Sequence, residues 1–277
     1  MKSLKSISAI LLAGALIFTS CTKEEEKKEN NTSTSDYDSS KNGSLMLNFD
    51  SMAGEDDLIM GDTLTNSLGE KFTVNRFQYY VSNIKLTAED GSIYEVPTTS
   101  NSGYYFIKEG VNENVMLNVP ENNYTHVEFM VGVDSLRNTM APEEREGVLD
   151  IGDQETGGQM YWSWNSGYIF MRFEGTTNAI PDSIGSDDFV IHVGGFGGYD
   201  NPMPNNTRMV KITSHDGDMM KVREDDDVMG HIMVDVMKIM DASNTYSFSD
   251  NYSVHSPMKS GKFADNYVNM FMLHHVH

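Results

Sequence analysis

His231-Ile232-Met233 and His275-Val276-His277 each set two metal-ligating side chains two residues apart. In an extended chain that spacing puts both on one face, where an imidazole and a thioether, or two imidazoles, can close on one ion. Imidazole suits copper in either oxidation state, and thioether sulfur selects Cu(I). His231 and Met233 would share their face with Asp235 and Met237, while Ile232, Val234 and Val236 take the other. The same pattern describes a plain polar outer face of a strand. His192 sits in Phe189-Val190-Ile191-His192-Val193, a run ending on Gly194-Gly195, where missing side chains permit close approach. It reads as a ligand or as a hydrogen-bonded strand histidine. His274, His275 and His277 close the sequence, as a ligand group or as a frayed terminus. His126, His215 and His255 lack soft neighbours and read as bystanders.

Both tryptophans fall in one stretch, Met160-Tyr161-Trp162-Ser163-Trp164-Asn165-Ser166-Gly167-Tyr168. If residues 161–164 are extended, Trp162 and Trp164 share a face, as a pocket wall or as a core wedge. Other chemistry finds little footing. There is no nucleophile elbow and no His-Glu-x-x-His, and Gly194-Gly195-Phe196-Gly197-Gly198 lacks the helical pattern that a dinucleotide loop needs after it. No carboxylate pair of the glycosidase kind stands out. Asp225-Asp226-Asp227 and Asp150-Ile151-Gly152-Asp153 are either oxygen-rich Ca²⁺ sites or solvated acidic loops. The residues point to a binding protein rather than an enzyme.

The elements that must position these side chains are strands. Alternating runs recur at residues 44–50, 71–86, 104–107, 125–133, 208–213 and 230–237, separated by turn signals such as Glu89-Asp90-Gly91-Ser92. A short helix is expected within residues 258–271. The expected fold is all-β, a single β-sandwich-like domain of mostly antiparallel strands with long loops and that C-terminal helix.

Chemistry and compartment agree. Lys+Arg 20 against Asp+Glu 41 gives a net charge of −21, which repels phosphate backbones and attracts cations, so nucleic acid is not an expected partner. Residues 1–20 carry Lys2 and Lys5, then a short apolar run, then Phe18-Thr19-Ser20-Cys21. That order is similar to a lipoprotein signal peptide and its lipobox. Cys21, the single cysteine, is the expected lipidation site and membrane anchor. Residues 21–43 read as the acylated cysteine and a polar tether, and 44–277 as the domain. The expected location is the bacterial outer membrane or cell surface, facing periplasm or exterior.

The chain also resembles the MbnP-like family of exported copper-binding proteins. The resemblance runs in order through Phe72-Thr73-Val74, Phe77-Gln78-Tyr79-Tyr80-Val81-Ser82-Asn83-Ile84-Lys85-Leu86, Phe129-Met130-Val131-Gly132-Val133-Asp134-Ser135, the tryptophan stretch, and Phe189-Val190-Ile191-His192-Val193-Gly194-Gly195. Asp265-Asn266-Tyr267-Val268-Asn269-Met270-Phe271 extends it to the C-terminal part. It implies a β-sandwich holding one copper ion, with a di-haem peroxidase as partner. It also implies that Trp162 or Trp164 is oxidised to kynurenine beside histidine ligands, of which His192 is the best-matched. Many relatives carry a histidine soon after the first strand; this chain has Phe49-Asp50-Ser51-Met52 there, with Met52 as the candidate substitute. A different class of function remains: a surface adhesin or glycan-binding sandwich stacking sugars on Trp164, Tyr168 and Tyr199.

Overall fold

The computed structural model describes residues 37–163, 167–213 and 217–277. Cys21, the expected signal-peptide and tether segments up to residue 36, Trp164 and His215 lie outside the described residues. The strands that matter here are β1 (Asn42–Ala53), β2 (Lys71–Ala88), β3 (Tyr104–Lys108), β4 (Asn114–Pro120), β5 (Asn122–Val131), β6 (Gly167–Thr177), β7 (Asp188–Gly194), β8 (Arg208–Thr213), β9 (Asp227–Asp235) and β10 (Phe271–Val276). Helix α1 spans Pro257–Tyr267. Among the described residues no helix is long and apolar enough to cross a membrane.

A five-stranded sheet runs in the order β10-β9-β1, with β4 and a two-residue strand on the far side of β1. The larger sheet is built on β8-β5-β2-β6-β7. Pairing is antiparallel except between β1 and β9 and between β7 and the short strand Ser253–Val254. The all-β, mostly antiparallel expectation is met, and the edges of the elements shift by a few residues.

Period-2 alternation explains how the sheets meet. In β1, Leu45, Leu47 and Phe49 are fully buried, while Met46, Asn48 and Asp50 lie on the opposite, partly exposed face. Phe49 stands edge-on to Phe129 of β5, ring centres 5.5 Å apart, and Phe271 of β10 stands edge-on to the same ring at 5.0 Å. Burying a ring of this size stabilises by about 1.5–3 kcal/mol, with about 0.5–1.5 kcal/mol more for each edge-to-face pair. These rings therefore clamp the small sheet onto the large one, leaving its other face to solvent. That outer face carries the site described next.

A second apolar cluster lies beneath the long excursion between β5 and β6. It gathers Tyr80, Phe106, Met160, Trp162, Tyr168 and Phe170. Buried Asn138 ties the excursion down, donating to the Val133 carbonyl at 2.7 Å and accepting from the Tyr168 N–H at 2.8 Å. The Arg145 guanidinium lies over the Tyr161 and Tyr168 rings, 4.9 and 5.4 Å from their centres. Asn266 and Tyr267, part of the C-terminal motif, are structural staples. The Asn266 amide donates to the carbonyls of Ile239 and Asn244, and the Tyr267 hydroxyl reaches those of Val131 and Asn206.

Candidate metal centre

His231 lies on the outer face of β9, in register with Asn48 of β1 and His275 of β10. Its Nε2 sits 2.9 Å from Asp50 Oδ2, while its Nδ1 is buried without a hydrogen-bond partner. In a neutral ring whose Nε2–H donates to the carboxylate, Nδ1 carries the lone pair. A carboxylate that fixes the tautomer in this way is the usual support of a metal-ligating histidine.

β10 supplies the other imidazoles through a bulge. Ile232 pairs with Leu273 and His231 pairs with His275, so His274 is an extra residue in the ladder. A bulge puts two consecutive side chains opposite one partner and on one face. His274 and His275 therefore both turn outward, and His277, two residues on, stacks its ring against His275 at 4.3 Å. The His231 and His275 rings are 4.5 Å apart, and the facing Nδ1 atoms of His274 and His275 are 2.6 Å apart. One ligand nitrogen from each of His231, His274 and His275 lies within 4.8 Å of the others. Partial burial and the neighbouring rings of His231, His277 and His274 hold the His275 pKa below its ordinary value. A neutral ring is the form that binds metal.

The two histidine groups read separately in the sequence thus converge. The pairing expected of His231 with Met233 gives way to His231 with β10, because cross-strand neighbours lie closer than residues two apart on one strand. Met233 remains on the same outer face, opposite Asp50 and Met272. Met237 does not: β9 ends at Asp235, and Val236–Ile239 turn into a 3₁₀ helix. Met52, two residues beyond Asp50, is 7% exposed and paired with Asp235 and Asp57.

His192 lies on the larger sheet, in β7, away from this group. Its Nε2 is 2.6 Å from Glu174 Oε1. Burial alone would raise the Glu174 carboxyl, but the His192 hydrogen bond and the Arg172 guanidinium bring it down to about 2. Burial pushes His192 the other way from a charged partner, below its ordinary value. An ionised Glu174 accepting from a neutral His192 satisfies both. His255, read as a bystander, stands edge-on to the His192 ring at 5.2 Å. Gly194, two residues along β7, is where Trp162 lies close: a Cβ there would meet the indole ring at 2.8 Å. The close approach expected at Gly194-Gly195 is thus made by a tryptophan.

Other expectations are corrected. Extended structure in the tryptophan stretch stops at Tyr161–Trp162, with Ser163 in a turn. Trp162 is 5% exposed and packs in the second cluster rather than forming an open pocket wall. Tyr168 is fully buried and donates to the Leu149 carbonyl, so it cannot stack on a sugar. Tyr199 is half-exposed. The two acidic stretches form no metal-like group among the described residues. The Asp150 and Asp153 side chains instead accept from the N–H groups of Gly152 and Glu155 in their own turns.

The MbnP family model matches residues 42–256. That span takes in Trp162, His192 and His231 and stops before β10. Among solved structures, MbnP from Methylosinus trichosporium is similar in fold, with a TM-score of 0.51 and 15% identity, over 74% of this chain and 80% of that one. No curated protein matches the chain significantly. With its strands from β1 to β9 inside the matched span, the chain belongs to the MbnP family.

Proposed function

We propose that the protein is an exported, lipid-anchored copper-binding protein that stores, takes up or hands on the metal, and that it acts by binding rather than by catalysis. The observation that carries the reading is the convergence of His231, His274 and His275 on one outer face, with a buried, partnerless Nδ1 on His231. A donor set of imidazoles supported by Asp50 suits copper better than the hard cations, which take oxygen ligands. His277 stands beside His275 and can complete the set. Membership of the MbnP family and the strongly acidic chain support the same reading. Export and anchoring rest on the lipobox-like Phe18-Thr19-Ser20-Cys21.

The neighbourhood of His192 is a second station that depends on oxidation of tryptophan to kynurenine by a partner di-haem peroxidase, with peroxide as the oxidant and the indole C2 carbon leaving as formate. An indole holds its nitrogen lone pair in the ring system and offers none to a metal. Kynurenine carries an aniline nitrogen and a ketone oxygen, both usable. Trp162 lies against Gly194 on the strand that bears His192, and Trp164 is the other candidate. Of the two histidine stations, protein made without the peroxidase would bind copper only at the His231 group. Titration with Cu(I) against a competing chelator tests this: His231→Ala with His275→Ala should remove the histidine-bound equivalent, and an unchanged stoichiometry would refute it.

A further inference from the structure

The face that carries the imidazoles also carries an uncommon set of methionines. Outward positions of a sheet with one solvated face are ordinarily polar. Here β1 presents Met46, β4 presents Met116, β9 presents Met229 and Met233, and β10 presents Met272, all on the partly exposed face of the small sheet. Single exposed apolar residues need no explanation, but a contiguous set does.

Their register is the informative part. Met46 lies directly opposite Met116 on one side and Met229 on the other. Met229 in turn exchanges both backbone hydrogen bonds with His277, at 3.0 and 2.9 Å. One row across the sheet therefore reads Met116, Met46, Met229, His277, and it ends at the histidine group. Directly opposed residues have Cβ atoms about 4.5–5.5 Å apart, well within the reach of flexible thioether side chains. Three sulfurs from adjacent strands can turn toward one point above Met46. Methionine also serves docking patches for apolar partners, but such a patch gives no reason for the row to end at an imidazole group. What methionine adds is polarizable sulfur, which selects soft monovalent cations, and the net charge of −21 draws cations to the molecule.

We infer that Met116, Met46 and Met229 form a thioether site for a soft monovalent cation, Cu(I) or Ag(I), adjoining the imidazole group. The inference deepens the copper reading above, on which it rests only for the identity of the physiological ion. The site would accept Cu(I) at the open edge of the sheet and lie one residue's breadth from His277.

The test uses the protein with methionines labelled at the ¹³C-methyl carbon, titrated with Ag(I) as an air-stable soft cation and read by NMR. The methyl signals of Met46, Met116 and Met229 should shift together over one equivalent. They should do so in the wild type and equally in the His231→Ala/His275→Ala variant, where the imidazole site is disabled. Met46→Leu with Met116→Leu conserves volume on an outer face. It should lower the Ag(I) stoichiometry by one equivalent while leaving the histidine-bound ion and the circular dichroism unchanged. Methyl signals that ignore stoichiometric Ag(I) would overturn the inference. So would shifts that vanish in the histidine variant, because the sulfurs would then only be sensing the neighbouring imidazole-bound ion. In the wild type, methionine shifts without any histidine-bound equivalent would refute the imidazole site alone.

Discussion

Asp50 of β1 and His231 of β9 are joined by a 2.9 Å contact between Oδ2 and Nε2, and that contact leaves the buried Nδ1 of His231 without a partner. A carboxylate in this position orients the ring and raises its basicity without itself touching a metal. Asp50→Asn should therefore weaken Cu(I) binding about 10–100-fold without abolishing it, whereas His231→Ala removes a ligand outright. Competition titration separates the two. Equal loss in both variants would mean that Asp50 is itself a ligand or that the face has collapsed.

The fold was legible because its strands alternate. Leu45, Leu47 and Phe49 inward against Met46, Asn48 and Asp50 outward is a pattern that only a half-buried strand satisfies. The candidate metal group was legible only in pieces. His231 and the terminal histidines lie far apart in sequence, and only the placement of β10 beside β9 makes them neighbours. The bulge at His274 has no signature in residue types, since period 2 would send His274 to the face opposite His275. His255 has no soft neighbours in sequence, and its partner, His192, becomes a neighbour only because the short strand Ser253–Val254 pairs with β7. The methionine row is invisible until the register of β4, β1 and β9 is known.

Glu174 predicts an acid limb in stability. Its folded carboxyl titrates at about 2, against an ordinary value of 4.5. The stabilisation, at most about 3 kcal/mol, is complete above the unfolded value and is lost as the pH falls from about 4.5 towards 2. His192, held below its ordinary value by burial, acts with the same sign at higher pH. Urea unfolding of wild type and Glu174→Gln between pH 7 and pH 3 should give a stability gap that narrows as the pH falls. A gap independent of pH would contradict the assignment.

Gly194 predicts a packing defect. A Cβ there would meet the Trp162 ring at 2.8 Å and the Tyr168 carbonyl oxygen at 2.7 Å, and the backbone atom cannot easily give way. Gly194→Ala should cost about 1–3 kcal/mol, and it should move the tryptophan fluorescence maximum as the indole is displaced. Unchanged stability and emission would place Trp162 elsewhere.

Trp162 and Trp164 are the candidates for oxidation by the proposed peroxidase partner. Peptide mass mapping of protein from its native host should find kynurenine at one of them, and protein made without the peroxidase should carry both as tryptophan. Unmodified tryptophan at both positions in the native protein would remove the second copper station.

The most direct measurement is a Cu(I) titration under a competing chelator, on protein made without the peroxidase. It would compare wild type, His192→Ala and the His231→Ala/His275→Ala variant. Loss of one tight equivalent from the double variant, with none lost from His192→Ala, is the predicted result. An equivalent lost with His192, and the full stoichiometry kept without His231 and His275, would contradict the account and move the copper to the larger sheet.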